Sequence, residues 1–246
     1  MRSMPLITAL LLFGFVNNAV TASQDTKLPK GYLLSKFTSH DLVLVGTTHH
    51  HPSIHSMLSD IIPSLPSVGV THVCLEIETG QVGDHLRISP IIDCPSYRRM
   101  IKLVQDTTGL QAVPVDLPAV KYGEGISRNE YIAQQIAAIF RENKDAKVLV
   151  ILGNQHVLKT LPWQDHIPNP YQSVAAYFPR LEPSKKLFSA VTCVDPPDRC
   201  DFSRRLSGPL ALDVTEQYSD WKLGTTEIMA IKPTPVTALT DGVIIP

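Results

Sequence analysis

His49, Glu76 and His156 share one kind of setting in this chain. "LVLVGTTH" at 42–49 and "LVILGNQH" at 149–156 each run from an apolar stretch through a glycine and two polar residues to a histidine, and "CLEIE" at 74–78 carries Glu76 between them. A carboxylate inside so apolar a run is costly unless it is paired, hydrogen-bonded or bound to a cation. Two imidazoles and one carboxylate make a facial donor set for Zn²⁺, Mn²⁺, Co²⁺ or Fe²⁺ with positions left for water. One GxxH has almost no meaning; two at the ends of similar apolar runs, with a glutamate between them, select these residues. The expected metal ligands are His49, Glu76 and His156.

The same loop holds His50 and His51, either accessory groups or a solvated continuation, and His55 lies about a turn further on, facing the site or solvent. Asp116 ends "LQAVPVD" and is read either as a partner that orients a ligating imidazole or as a cap before Pro118. Arg128, opening a helical segment, suits a substrate carboxylate or an oxyanion, with a structural ion pair as the plain alternative. His40, His72, His85 and His166 are read as surface or structural.

Four buried strands must position these groups: 41–46, 71–78, 110–116 and 146–153, β-branched and Leu-rich without alternation, as in a parallel sheet covered on both faces. Helical segments lie between them at 52–65, 95–109 and 127–145. In the last, Ile132, Ile136, Ile139 and Phe140 form a stripe, and Ser127 caps the start with Glu130 three residues on. Alternating strands and helices predict an α/β fold, mostly parallel, with two pseudo-repeated strand-GxxH units and right-handed crossovers. In such a sheet ligands bind beyond the carboxyl ends of the strands, where both histidines would project. A helix near 173–178, a strand at 186–194, and a strand, loop and short terminal strand over 226–246 are expected to extend it.

With 246 residues, 43% of them hydrophobic, one domain with a substantial core is expected at 23–246. The 22 basic and 23 acidic residues form no basic stripe, so nucleic acid is not an expected partner. Arg2, the apolar run Met4 to Val16, and Val20 and Ala22 before a cut after Ala22 predict a signal peptide at 1–22. The run is shorter than the ~20 residues of a membrane span, so no stable anchor is expected after cleavage, and the chain is expected in the periplasm or secreted. Export lets disulfides persist. "CVDPPDRC" suggests Cys193 with Cys200, leaving Cys74 either with Cys94 or as a buried thiol.

Gly46 with His49, Glu76, Arg128 with Asn129, and Gly153 with His156, in that order over residues 41–160, resemble the superfamily of Tiki proteases, TraB-like proteins, erythromycin esterases and ChaN-like haem-binding lipoproteins. The resemblance implies an α/β fold with these residues in the active site, and metal-dependent hydrolysis in the Tiki branch. Thr47 departs from it: erythromycin esterases usually carry an acidic residue directly after the first glycine. The leading expectation is an exported metal-dependent hydrolase of peptidase or esterase type, with a Mn, Co or Zn ion and a peptide or small ester as substrate. In it Glu76, Arg128 and Asn129 serve catalysis. The alternatives are a haem-binding protein using an imidazole of "HHH", against which the low aromatic content speaks, and a non-catalytic secreted effector.

Overall fold

The computed structural model describes residues 27–80, 88–162, 171–194, 206, 208–223 and 232–246. The signal peptide, His85, His166, Cys200 and most of the strand expected near 226–231 lie outside the described residues. Strands β1 (Leu42–Thr47), β2 (His72–Glu78), β3 (Gln111–Asp116) and β4 (Val148–Gly153) form where the apolar runs predict them. They join β5 (Leu187–Thr192), β6 (Leu210–Asp213) and, after a two-stranded ribbon of β7 (Lys222–Leu223) and β8 (Thr234–Pro235), β9 (Gly242–Ile245). The seven-stranded sheet has the order β3-β2-β4-β1-β5-β9-β6, parallel except for β6.

Successive residues of a strand point to opposite faces, so a strand covered on both sides must be apolar throughout. Leu42 and Leu44 accordingly pack in one core, while Val43 and Val45 pack in the other. The first core is covered by α4 (Arg128–Glu142), then a single turn α5 (Asn154–Val157) and α6 (Val174–Leu181). The second is covered by α1 (Pro29–Lys36), α2 (Pro52–Ile61) and α3 (Pro95–Asp106). In α3 the buried Tyr97, Met100, Ile101 and Val104 follow the helical period, and in α4 the Ser127 side chain accepts the Glu130 N–H as its cap. The segment expected as one helix over 52–65 is α-helical only to Ile61 and continues as a 3₁₀ turn over Ile62–Val68. Pro66 has no N–H to donate, and its ring would strike the carbonyl four residues back. Among the described residues no helix is long and apolar enough to cross a membrane.

The pairing of Cys74 with Cys94 is corrected. Cys74 faces the α4 core from β2, whereas Cys94 precedes α3 and packs against the opposite core, and both are free thiols. The sheet itself stands between them. The Cys193–Cys200 pairing lies outside the described residues, with Cys200. Burial pushes the Cys74 thiol well up, so in folded protein iodoacetamide should label Cys94 and spare Cys74 until denaturant is added. Equal labelling of both in the native state, read by peptide mass, would contradict this placement.

Candidate active site

The internal repeat matters because its two copies become neighbours. β1 and β4 pair in parallel with Gly46 opposite Leu152 and Thr47 opposite Gly153. The chain leaves β1 toward α2 on one face and β4 toward α5 on the other, so a crevice opens between the two strand ends. Each glycine permits a close approach. A Cβ on Gly46 would lie 2.3 Å from Asn154 Oδ1 and 2.9 Å from Asn154 Cα. One on Gly153 would lie 3.1 Å from His49 Cε1 and 3.6 Å from His156 Cδ2, so both imidazoles press against that position.

Asn154, buried where the second GxxH leaves β4, ties the strand ends together. Its side-chain amide donates to the Thr192 carbonyl at 3.0 Å and to Thr48 Oγ1 at 3.3 Å, and its oxygen accepts the Thr192 N–H at 3.3 Å. Thr192 Oγ1 in turn donates to the Gly46 carbonyl at 2.8 Å. A buried amide so nearly satisfied fixes one arrangement of β1, β4 and β5.

Glu76 is 5% exposed and accepts at both oxygens: from Arg128 Nη2 at 2.6 Å on Oε1, and from the Gly153 N–H at 2.7 Å on Oε2. Arg128 also grips Asp116 with two bonds, Nε to Oδ1 at 2.7 Å and Nη2 to Oδ2 at 2.8 Å. Asp116 Oδ1 further accepts the Leu117 N–H at 2.8 Å. Both plain readings of Asp116 and Arg128 therefore apply: Asp116 caps the chain before Pro118 and pairs with the guanidinium, and it does not orient an imidazole. Asn129 performs that task. Its Oδ1 lies 2.5 Å from His156 Nδ1 while its Nδ2 donates to the Gln172 carbonyl at 2.7 Å, so the hydrogen-bond network assigns the His156 proton to Nδ1 and leaves Nε2 with its lone pair. That Nε2 stands 3.7 Å from Glu76 Oε1.

Electrostatics keep this pair as carboxylate and neutral imidazole. Burial alone would raise the Glu76 carboxyl, but His156, Arg128 and the Gly153 N–H outweigh it and hold it below the usual range. Burial lowers His156 and His49 by more than Glu76 raises them. The guanidinium rises despite its burial, because Asp116 and Glu76 flank it.

His50 and His51 stay out of this cluster. His50 adopts the left-handed region, φ 56°, with its ring nitrogen 3.3 Å from the Pro90 carbonyl, and His51 is the residue before α2, bonded to Ser53. His55 faces neither the site nor solvent: it is buried against Tyr97 with Nδ1 2.8 Å from Ser96 Oγ. Beside His156 a cleft of about 320 Å³ is lined by Leu117, Tyr122, Ile126, Arg128, Leu161 and Tyr171. The sequence gives little sign of it, since its walls come from two connections far apart in the chain, β3 to α4 and α5 to α6; the closest signal is Tyr122 before Gly123 and Gly125, both at positive φ.

The expected groups do not fit this arrangement. Glu76 already spends one oxygen on a guanidinium and the other on a backbone N–H, and Arg128 would stand as a fixed positive charge beside a dication. Among the described residues no group of three or more His, Cys, Asp or Glu is gathered for a metal ion. For haem, the cleft with apolar walls is not lined by His50 or His51, and His156 is held there by Asn129.

The sequence matches no family model and no curated protein. Solved structures do match in three dimensions. The erythromycin esterase EreC in its open conformation has a TM-score of 0.57 at 8% identity, with 87% of this chain and 92% of that one covered. A Bacillus cereus protein has the same TM-score at 12% identity, covering 87% and 90%. The chain has the erythromycin esterase-like α/β fold. ChaN of Campylobacter jejuni, whose structure shows cofacial haem binding, covers 68% of this chain and 86% of its own, with a TM-score of 0.46 at 12% identity. Identities this low show the fold alone and leave the reaction to the site.

Proposed function

We propose that the protein is an exported hydrolase of the esterase type that works without a metal. The observation that carries this reading is the lone pair of His156 Nε2, 3.7 Å from a buried, ionised Glu76 at the head of a cleft. A water beside Nε2 attacks the substrate carbonyl carbon as its proton passes to His156. Glu76, 3.7 Å from the same Nε2, stabilises the imidazolium by its charge, while Asn129 at Nδ1 takes the orienting place that a carboxylate holds in hydrolytic triads. Arg128, whose side chain is 34% exposed and lines the cleft, stabilises the oxyanion. The tetrahedral centre then collapses, the carbon–oxygen bond to the alcohol breaks, and His156 returns the proton to the leaving alkoxide. His49, against the same Gly153, supplies a second neutral imidazole to this proton traffic. Export rests on residues 1–22, and a mature chain beginning near Ser23 is its test.

Purified mature protein should hydrolyse simple esters in EDTA, and His156→Ala should remove about 10²–10⁴-fold of the rate. The base must be neutral and its pKa is lowered by burial. Activity should therefore be full above the ordinary histidine value of about 6.5 and fall only as pH drops through the lower, folded value. Activity that is lost to EDTA and restored in proportion to added Mn²⁺, Co²⁺ or Zn²⁺ would replace this reading with the metal-dependent one. No hydrolysis under any condition, with a Soret band on adding haem, would replace it with haem binding.

A further inference from the structure

We infer that the substrate is a compact, uncharged ester carrying one flat aromatic group, seated between the walls of the cleft beside His156; the inference rests on the hydrolase reading above. Three observations carry it. The first is apolar exposure at one place. Tyr122 is 54%, Ile126 42% and Tyr171 52% exposed, and all three line this cleft together with the side chains of Leu117 and Leu161. Large apolar side chains left in water around a concavity are the usual mark of a ligand site. Two phenol rings among the lining residues favour a flat π-system, which gains offset or edge contacts beyond area burial.

The second is charge. Among the described residues Arg128 is the single charged one lining the cleft, and it is already flanked by two carboxylates, Glu76 and Asp116. Arg128 Nε and Nη2 are bonded to Asp116 and Glu76, which leaves Nη1 for the oxyanion formed at the reacting carbonyl. A permanent carboxylate, phosphate or sulfate elsewhere on the substrate would meet a cluster of one guanidinium and two carboxylates that is net negative. Among the described residues no lysine, aspartate or glutamate lines the walls to recognise a charged substituent elsewhere. The third is size. About 320 Å³ lies at the low end of the roughly 300–1,000 Å³ of small-molecule pockets, room for one ring system and a short acyl group, and too little for a macrocycle or an extended peptide. Tyr171 directly precedes Gln172, whose carbonyl holds Asn129 and through it His156, so the aromatic wall and the base are set by the same piece of chain.

The test compares acetate esters of primary alcohols, whose leaving groups are of similar reactivity: 2-naphthylmethyl acetate, hexyl acetate and 4-carboxybenzyl acetate. The naphthylmethyl ester should have a KM about tenfold lower than the hexyl ester, the scale of one ring–ring interaction, and the carboxylated ester should be the poorest. Tyr122→Ala and Tyr171→Ala should each reduce the naphthylmethyl-to-hexyl ratio of kcat/KM toward one. A preference for hexyl or for the anionic ester, or a ratio that survives both substitutions, overturns the inference while leaving hydrolysis intact. Should no ester be hydrolysed, the fluorescence of N-(2-naphthylmethyl)acetamide still reads the cleft. Binding weakened about tenfold by either tyrosine substitution supports the ligand class although the hydrolase reading has failed. No binding to the wild-type protein overturns it.

Discussion

Glu76→Gln should lower kcat/KM for ester hydrolysis by about 10²–10⁴-fold in a protein that still folds. The amide is nearly isosteric and keeps one good acceptor, so either Arg128 or the Gly153 N–H retains its partner at this position. The other meets an NH₂ group, and one unsatisfied buried donor costs about 1–3 kcal/mol. Arg128 is not set loose, because Asp116 still holds it by two bonds. What disappears is the negative charge that stabilises the His156 imidazolium. Glu76 raises the His156 pKa, so its neutralisation should move the acid limb of the pH–rate profile to still lower pH. A merely structural carboxylate would lower thermal stability and leave that limb where it was. Full activity in the folded variant, measured beside its melting temperature, would remove Glu76 from the mechanism.

Gly46→Ala should be among the most damaging single-methyl changes in the chain. The added Cβ has no room: Asn154 Oδ1 at 2.3 Å, Val157 Cγ2 at 2.6 Å and Asn154 Cα at 2.9 Å all block it. A flexible side-chain tip could turn away, but Asn154 Cα is backbone, and its amide is bonded to Thr192 and Thr48. Overpacking of a tight core costs about 1–3 kcal/mol and more when backbone must shift, and here it also disrupts a buried polar tie. A loss of about 3 kcal/mol corresponds to about 6–12 °C in Tm at the ~2–4 °C per kcal/mol of a domain this size. Because α5 carries His156, the displacement should reach the base as well, lowering activity beyond the fraction unfolded. A melting curve within about 2 °C of wild type, well short of that scale, would show that α5 yields without cost.

The sequence by itself determined the four parallel strands, the main helices between them and the residues at the strand ends. These are properties of short stretches: an unbroken, β-branched apolar run of about six to eight residues suits a strand covered on both faces, and a glycine before a polar pair marks the exit. The two GxxH units single out His49 and His156, and the apolar "CLEIE" singles out Glu76. What the sequence left open was which group would compensate the buried carboxylate, because pairing, hydrogen bonding and a metal all satisfy the same requirement. Only the tertiary structure decided it, by bringing Arg128 from the start of α4 and the Gly153 N–H from the end of β4 onto the two oxygens of one residue in β2. The same holds for Cys74 and Cys94, separated by the thickness of the sheet, and for His55, turned into the core. Such choices depend on distances between segments far apart in the chain. Local pattern sets which face a residue takes, while which partner it meets there follows from strand order and crossover side.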